Sequence, residues 1–447
     1  MLNTSILYLP IGRKTFDLET AEQYRKDTVH MLEGMVKDIY TSENIITSPE
    51  ELNALLDQFK DKQFDSIIYQ STTFADGEFP YAVIQKRKEP IVVWSVREPS
   101  VGGRLRLNSL TGGNATSNLL KVHRHPYSFV FGNPSEETLQ QKMLVELKVN
   151  YMVNSLKQLK VGVIGEHPPG FFFSDTNEEK LKEEIGVSLK KIELLKAFEE
   201  CKKLTEEEYS SALELAEKHV MGLNKTDQTV QRFAQFYTYV EKYIESEEIK
   251  ALAIRCWPDF FNELGAAACS TLSQFTEYGV VSACESDING SISMYILQEL
   301  SNGSAPYLGD LVHVNEENNS VVFWHCGAGA YSLARPSTGA QAGVHPNRKM
   351  GLTMEFGLKA GGVTIFRLSE DADGYRLLVM KGEALDVEQP FSGTSVEVAL
   401  QGDVQETLYS LMESGYEPHY AIVYADVTEE LLSLGKRLGL RTEYYGA

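Results

Sequence analysis

The chain has no run of about 18 apolar residues, so no membrane-spanning helix is expected. Basic residues are scarce: 42 Lys and Arg stand against 63 Asp and Glu, a formal net charge of −21. Such an acidic chain is a poor partner for nucleic acid. Cysteine is sparse as well. Cys201, Cys256, Cys269, Cys284 and Cys326 are odd in number and lack C-x-x-C spacing. This reads as reduced thiols in a cytoplasmic protein. The first residues, MLNTSILYLPIGRK, lack the basic flank, long apolar stretch and small-residue cleavage site of a signal peptide. No G-x-G-x-x-G follows the first apolar run, which argues against a dinucleotide enzyme. There is no internal repeat and no low-complexity tract.

What is present points to layered α/β structure. A length of 447 residues predicts two or three domains, and 43% hydrophobic content with 22 Tyr and 20 Phe allows substantial cores. SILYLPIG, SIIYQST, PIVVWSV and YSFVFG read as buried strands. TAEQYRKDTVHMLEGMV, SPEELNALLDQFK and ETLQQKMLVELKVNYMVNSLKQL read as helices, the second with a Ser cap and Glu three positions on. That alternation predicts a parallel sheet. A second α/β unit starts at LKVGVIGEHPPGF. NEEKLKEEIG, KKIELLKAFEECKK and TEEEYSSALELAEKHV are expected helices, the last with a capping box at Thr205 and Glu208. ALAIRC and VVSAC are expected strands, and INGSISMYILQELS a helix. Beyond about residue 350, short alternating segments predict an antiparallel part with a hairpin at Asp373–Gly374. The helix TEELLSLGKRLGL is expected to close the chain. The predicted fold is two Rossmann-like α/β domains with parallel sheets, 1–157 and 158–345, followed by a smaller antiparallel β-rich domain, 346–447.

Four polar residues stand beside apolar runs. Glu285 follows VVSAC, Asp310 ends PYLGD, His325 follows SVVFW, and His419 lies in EPHYAIVYAD. Two carboxylates and two imidazoles suit a divalent ion such as Mn²⁺, Co²⁺, Fe²⁺ or Zn²⁺. Each also has an ordinary reading. Glu285 and Asp287 could cap the following helix, Asp310 could be a turn acid, and His325 could be a core histidine. Spacings of 25, 15 and 94 residues match no compact ligand motif.

GLNKTDQTVQRF through RCWPDFF, ACESDINGSISM, PYLGDLVHVNEENNSVVFWHCG and PHYAIVYADV together resemble the L-fucose/L-arabinose isomerase family. The likeness runs over nearly the whole chain. It implies two α/β domains and a β-rich one, with the metal-bearing site between the second and third. It implies aldose–ketose isomerisation through a cis-enediol, dependent on Mn²⁺ or a similar ion (Co²⁺, Fe²⁺, Zn²⁺, Mg²⁺). It carries metal-ligand roles onto Glu285, Asp310 and His419, with His325 matching a ligand of the arabinose branch. Glu285 and Asp310 become the candidates for proton exchange. Pro418 stands where many relatives have a second histidine.

Further expectations follow from the resemblance. Trp257 would wall the sugar site and Gln274 would line it. Asn108, Ser109, Gly112 and Gly113 would form a polar turn offered to a neighbouring subunit in a homo-oligomer, a hexamer in some relatives. Arg13, Arg97, Arg104 and Arg106 cluster in first-domain loops. An Arg pocket would suit an anionic sugar such as sulfoquinovose, that is 6-sulfo-glucose. A neutral pentose or 6-deoxyhexose would not need one. A non-catalytic sugar-binding protein is the alternative of a different class.

Overall fold

The computed structural model describes residues 2–446. They form two compact units, Met1–Asn154 and Ser155–Ala447. The first holds a five-stranded parallel sheet of β1 (Leu2–Ile11), β2 (Val36–Thr41), β3 (Ser66–Ser71), β4 (Ile91–Ser95) and β5 (Tyr127–Phe131), in the order β2-β1-β3-β4-β5. The central strands β1, β3 and β4 are largely apolar because both faces are covered, whereas the edge strands β2 and β5 are partly exposed. Period-two alternation sends Leu7, Leu9, Ile67, Tyr69 and Val93 to one core, and Ile6, Tyr8, Ile68, Val92 and Trp94 to the other. The order is the flavodoxin-type doubly wound one, not the 3-2-1-4 arrangement of a Rossmann fold.

The segment around Asn108–Gly113 corrects the sequence reading. A GG pair signals a turn, yet Ser109–Val122 is a helix, with Asn108 as its left-handed N-terminal residue at φ 53°. The glycines serve close packing. A Cβ on Gly113 would overlap Ser95 Oγ and lie 3.1 Å from the Phe129 ring, while one on Gly112 would lie 3.2 Å from Phe74 Cα. Ser109 Oγ accepts from Val96 N at 2.9 Å and donates to Ser71 O, which ties the helix start to two strands. Ser95 Oγ cannot retreat freely, because it donates to Ser109 O at 3.0 Å. Gly113→Ala is therefore expected to destabilise the protein by about 1–3 kcal/mol through overpacking, read as a lower urea midpoint. An unchanged midpoint would show that the contact relaxes.

The second unit carries two sheets over one continuous core. The parallel one contains β6 (Lys160–Ile164), β7 (Ser188–Ile192), β9 (Ala251–Ile254) and β10 (Val281–Cys284), ordered β10-β9-β6-β7; the two-residue β8 (Val220–Met221) lies outside it. KKIELLKAFEECKK, expected as one helix, begins as strand β7, and only Leu194–Cys201 is helical. The capping box at Thr205 and Glu208 is present.

The large sheet contains β11 (Tyr307–Asn315), β12 (Ser320–His325), β13 (Ala340–Gly343), β14 (Thr353–Gly357), β15 (Gly361–Asp371), β16 (Gly374–Ala384), β17 (Thr394–Leu400), β18 (His419–Val423) and β19 (Arg441–Tyr445). With β8 it has ten strands. Six of them close into an antiparallel barrel in the cyclic order β15-β18-β11-β12-β17-β16. The β15–β16 hairpin turns on Ala372 and Asp373, with Asp371 opposite Gly374. Two expectations change here. Strands β11 and β12 join the barrel rather than the parallel sheet, so the β-rich part starts well before residue 346. The last helix does not end the chain, because β19 follows it and pairs parallel to β16. No described helix is long and apolar enough to cross a membrane.

Candidate active site

Strand register brings the polar residues together. In the antiparallel pairing of β11 with β18, Asp310 lies directly opposite His419. Opposed residues share a face of the sheet. Their side chains converge: His419 Nε2 is 3.5 Å from Asp310 Oδ1. His325 ends β12, the neighbour of β11. Donor atoms of Asp310, His325 and His419 all lie within 4.8 Å of one another.

Glu285 arrives from the other sheet. It follows β10 at the C-terminal edge, where open α/β sheets place their ligands. Glu285 and Ser286 have φ of 59° and 57°. A left-handed L-residue costs roughly 1–2 kcal/mol, so two in succession must be held by their surroundings. Ser286 N donates to Ile254 O at 3.0 Å, and its hydroxyl donates to Gly165 O at 3.0 Å. The elbow turns Glu285 out of the strand, and its Oε2 lies 3.3 Å from His419 Nε2.

Asp287 is the helix cap that its sequence suggests, accepting from Gly290 N at 2.8 Å. It also accepts from His419 Nδ1 at 2.8 Å and from both terminal nitrogens of Arg367, at 2.6 and 3.1 Å. All three side chains are fully buried. Burial alone would raise the Asp287 pKa, but Arg367 and His419 hold it well below the usual range. Burial likewise opposes charge on His419, yet Asp287, Glu285 and Asp310 push its pKa up to about 10. Burial raises the carboxyl of Asp310, with His419 and His325 opposing it. Asp287 thus fixes the proton on Nδ1 and turns Nε2 toward the carboxylates, the outer-shell pattern of ligating histidines.

His325 is the weaker donor. It is buried, as the core-histidine reading expects. Its Nδ1 accepts from Cys326 N at 2.9 Å and lies 3.2 Å from Cys326 Sγ. A neutral ring held this way carries its proton on Nε2. Ligation through Nε2 requires that proton to move to Nδ1, against the sulfur. The Cys269 and Cys284 thiols, with His325, hold the Cys326 pKa well below its usual value. All five cysteines are free and buried. Cys284, His325 and Cys326 form a second, softer donor group that shares this histidine.

Among the described residues, the Nε2 atoms of both histidines are buried without a well-formed hydrogen bond, that of His419 only approaching Glu285 at 3.3 Å. Two orphaned imidazole nitrogens facing two carboxylates fit a divalent cation. The site opens into a cavity of about 320 Å³, within the range of roughly 300–1,000 Å³ for small-molecule clefts. Its walls include Glu285, Asp310, His325, Trp257, Trp324 and Arg348. Phe173 packs edge-on against His419, and Phe171 against Trp257.

The remaining expected residues fare differently. Trp257 lines the cavity. Gln274 is core: its Nε2 donates to Ala212 O at 3.1 Å and its Oε1 accepts from Tyr331 at 3.0 Å, so its amide is spent. Asn108, Arg13, Arg104 and Arg106 belong to the first unit. Arg106 is spent on Asp17, at 2.8 Å from Nε, and Arg97 on Glu136, at 2.7 Å. Exposed Arg104 donates to Thr15 O at 2.9 Å. Arg13 is exposed, with no side-chain partner among the described residues. Three residues escape a reading of the sequence alone. The partnership of Asp287 with His419 spans 132 positions, Arg367 is an arginine in the middle of an apolar strand, and Arg348 sits in an unremarkable polar loop, HPNRKMG. The buried arginine is the one readable signal.

Residues 8–157 match the fucose/sulfoquinovose isomerase N-terminal domain family. A protein of Priestia megaterium named sulfoquinovose isomerase is 63% identical over 445 residues, covering 100% of both chains. One of the same name from Alkalicoccus urumqiensis is 56% identical over 98% of each chain. A third, from Clostridium sp. strain MSTE9, is 38% identical over 100% of each.

Proposed function

Since the chain belongs to the fucose/sulfoquinovose isomerase family and is an aldose–ketose isomerase, we propose that its substrate is sulfoquinovose and its product the corresponding 2-ketose. The reading rests on relatives of that name over the full length, joined to one observation: Glu285, Asp310 and His325 line one cavity, and the buried His419 Nε2 lies 3.3 and 3.5 Å from the two carboxylates. It favours the sulfosugar over the neutral pentose or 6-deoxyhexose.

The reaction moves two protons, one from C2 to C1 and one from O2 to O1. The C2–H bond of the open-chain aldose breaks to a carboxylate, the O2 proton passes to O1, and the carboxyl proton returns to C1. Glu285 and Asp310 both face His419 Nε2, so one carboxylate removes and returns the proton on one face of a cis-enediol. Burial raises the Asp310 carboxyl, opposed by His419 and His325, which makes it a stronger base than an ordinary aspartate. His419 is fixed by Asp287, and the closed barrel holds its distance to Asp310. Phe173 packs on the His419 ring and Phe171 on Trp257, placing apolar rings beside the site. Glu285, Asp310 and His419, with His325 after its tautomer changes, would hold a divalent ion, Mn²⁺ being the one named by the resemblance. When bound, such an ion supplies Lewis-acid stabilisation of the negative charge developing on the sugar oxygens.

Chelator treatment is expected to abolish isomerisation of sulfoquinovose, and Mn²⁺ to restore it. Turnover in D₂O is expected to place deuterium at C1 of the ketose, seen by NMR. Full turnover after complete metal removal would overturn the ion's role. Prolonged turnover with no solvent deuterium at C1 or C2 would overturn proton transfer through a carboxylate.

A further inference from the structure

An anionic sugar needs a cation at its charged end, and Glu285, Asp310 and the ion they would hold serve the reacting end of the cavity. Arg348 is the only Lys or Arg among the residues lining it. Other arginines of this unit are committed to acids, Arg255 to Asp259 at 2.7 Å, Arg335 to Asp386 at 2.7 Å and Arg367 to Asp287. Arg348 is exposed, and among the described residues its side chain has no ion pair and no hydrogen bond. Its guanidinium instead lies 5.5 Å from the centroid of the Trp257 ring and 5.9 Å from that of Phe261. A cation–π contact of this kind holds the guanidinium near the rings without using its N–H donors, which stay free for a bidentate acceptor.

The loop is built to present it. His345 N donates to Met350 O at 2.9 Å, and Lys349 N donates to His345 O at 2.9 Å. The His345 Nδ1 accepts from the backbone N–H groups of Asn347 and Arg348, each at 3.3 Å, while its ring packs edge-on against Phe261 at 5.2 Å. The turn is therefore pinned to the same aromatic surface that holds the guanidinium.

We infer that Arg348 is the residue that selects the sulfonate of the substrate. It engages the sulfonate oxygens over Trp257, and the opposite end of the sugar then points to Glu285 and Asp310. The inference rests on the proposal that sulfoquinovose is the substrate. It moves the anion contact from the first-domain arginines to a loop of the second unit. A sulfonate stays singly charged at any physiological pH, so a fixed cation suits it.

The test compares sulfoquinovose with D-glucose, its neutral counterpart, as substrate or, where turnover is slow, as competitive inhibitor. R348Q is expected to lower the preference for sulfoquinovose over glucose by roughly 10- to 100-fold, mostly through KM, as for loss of a charge-assisted hydrogen bond. R348K, which keeps the charge without the fork, is expected to fall between. Arg348 is exposed, so both variants should fold, and circular dichroism checks this. Wild-type activity on sulfoquinovose with an unchanged preference in R348Q overturns the role of Arg348 alone. A wild-type enzyme that isomerises glucose and ignores sulfoquinovose overturns the substrate proposal and this role with it.

Discussion

Glu285→Gln is expected to lower kcat by about 10²- to 10⁴-fold, the range for loss of a positioned acid–base group. The amide keeps the size and shape of the side chain, and the elbow that carries it depends on backbone and hydroxyl bonds of Ser286 and not on the carboxylate. The variant should therefore fold normally. What it loses is one of the two negative charges facing His419 Nε2, at 3.3 Å. That charge is proposed both to hold the ion and to share in proton exchange. Steady-state kinetics with the Mn²⁺-loaded protein, alongside metal content by elemental analysis, would separate the two losses. A variant with full metal content and a low kcat points to proton transfer. A variant that no longer retains metal points to ligation. Activity within a factor of about two of wild type, far below the loss expected for an acid–base group, would remove Glu285 from both roles.

Arg367→Met is expected to cost about 3–5 kcal/mol, because it leaves Asp287 charged and buried without its cation. Arg367 lies in β15 with no exposed surface, and Asp287 has none either. No water can replace the missing charge. The second partner of the arginine, Glu417 at 3.5 Å, would lose its cation as well. The expected readout is a large fall in the denaturation midpoint. The double variant Asp287→Asn with Arg367→Met should recover part of it, since an uncharged pair removes the unpaired acid. It should not recover activity, because an amide in place of the Asp287 carboxylate cannot hold the His419 ring with the same charge-assisted bond. A single variant as stable as wild type would show that Asp287 is neutral in the folded protein.

Much of this is legible in the sequence. Most strands of both parallel sheets stand out as short β-branched runs, β2 and β7 excepted, and Glu285 stands out because an acid directly after a buried strand has no packing reason to be there. His419 is visible as a histidine beside an apolar run, but its ligand role comes from the family resemblance. What stays hidden is mostly non-local. An apolar run such as SVVFWH states that it is a strand, but not which sheet it joins, so the sequence groups β11 and β12 with the wrong layer. The Asn108–Gly113 segment reads as a turn because glycine serves both turns and close packing, and only Ser95 behind Gly113 decides between them. Gln274 looks like site lining because a buried amide and a cavity-facing one are the same letter; Ala212 O and Tyr331 consume it. The first-domain arginines look like a pocket because the acids of two of them, Asp17 and Glu136, lie many residues away.

The closed barrel has a practical consequence for redesign. Asp310, His325 and His419 stand on three adjacent strands of a ring with no free edge among its six members, so ladder hydrogen bonds set their spacing. Arg348, Asn347 and Trp257 stand on connections outside that ring. On the roles proposed above, chemistry and choice of sugar are carried by separable parts of the chain. Libraries confined to residues 257–261 and 344–350 can explore new sugars while the reacting frame stays constant, and inactive clones from them should report failed recognition and not a broken centre.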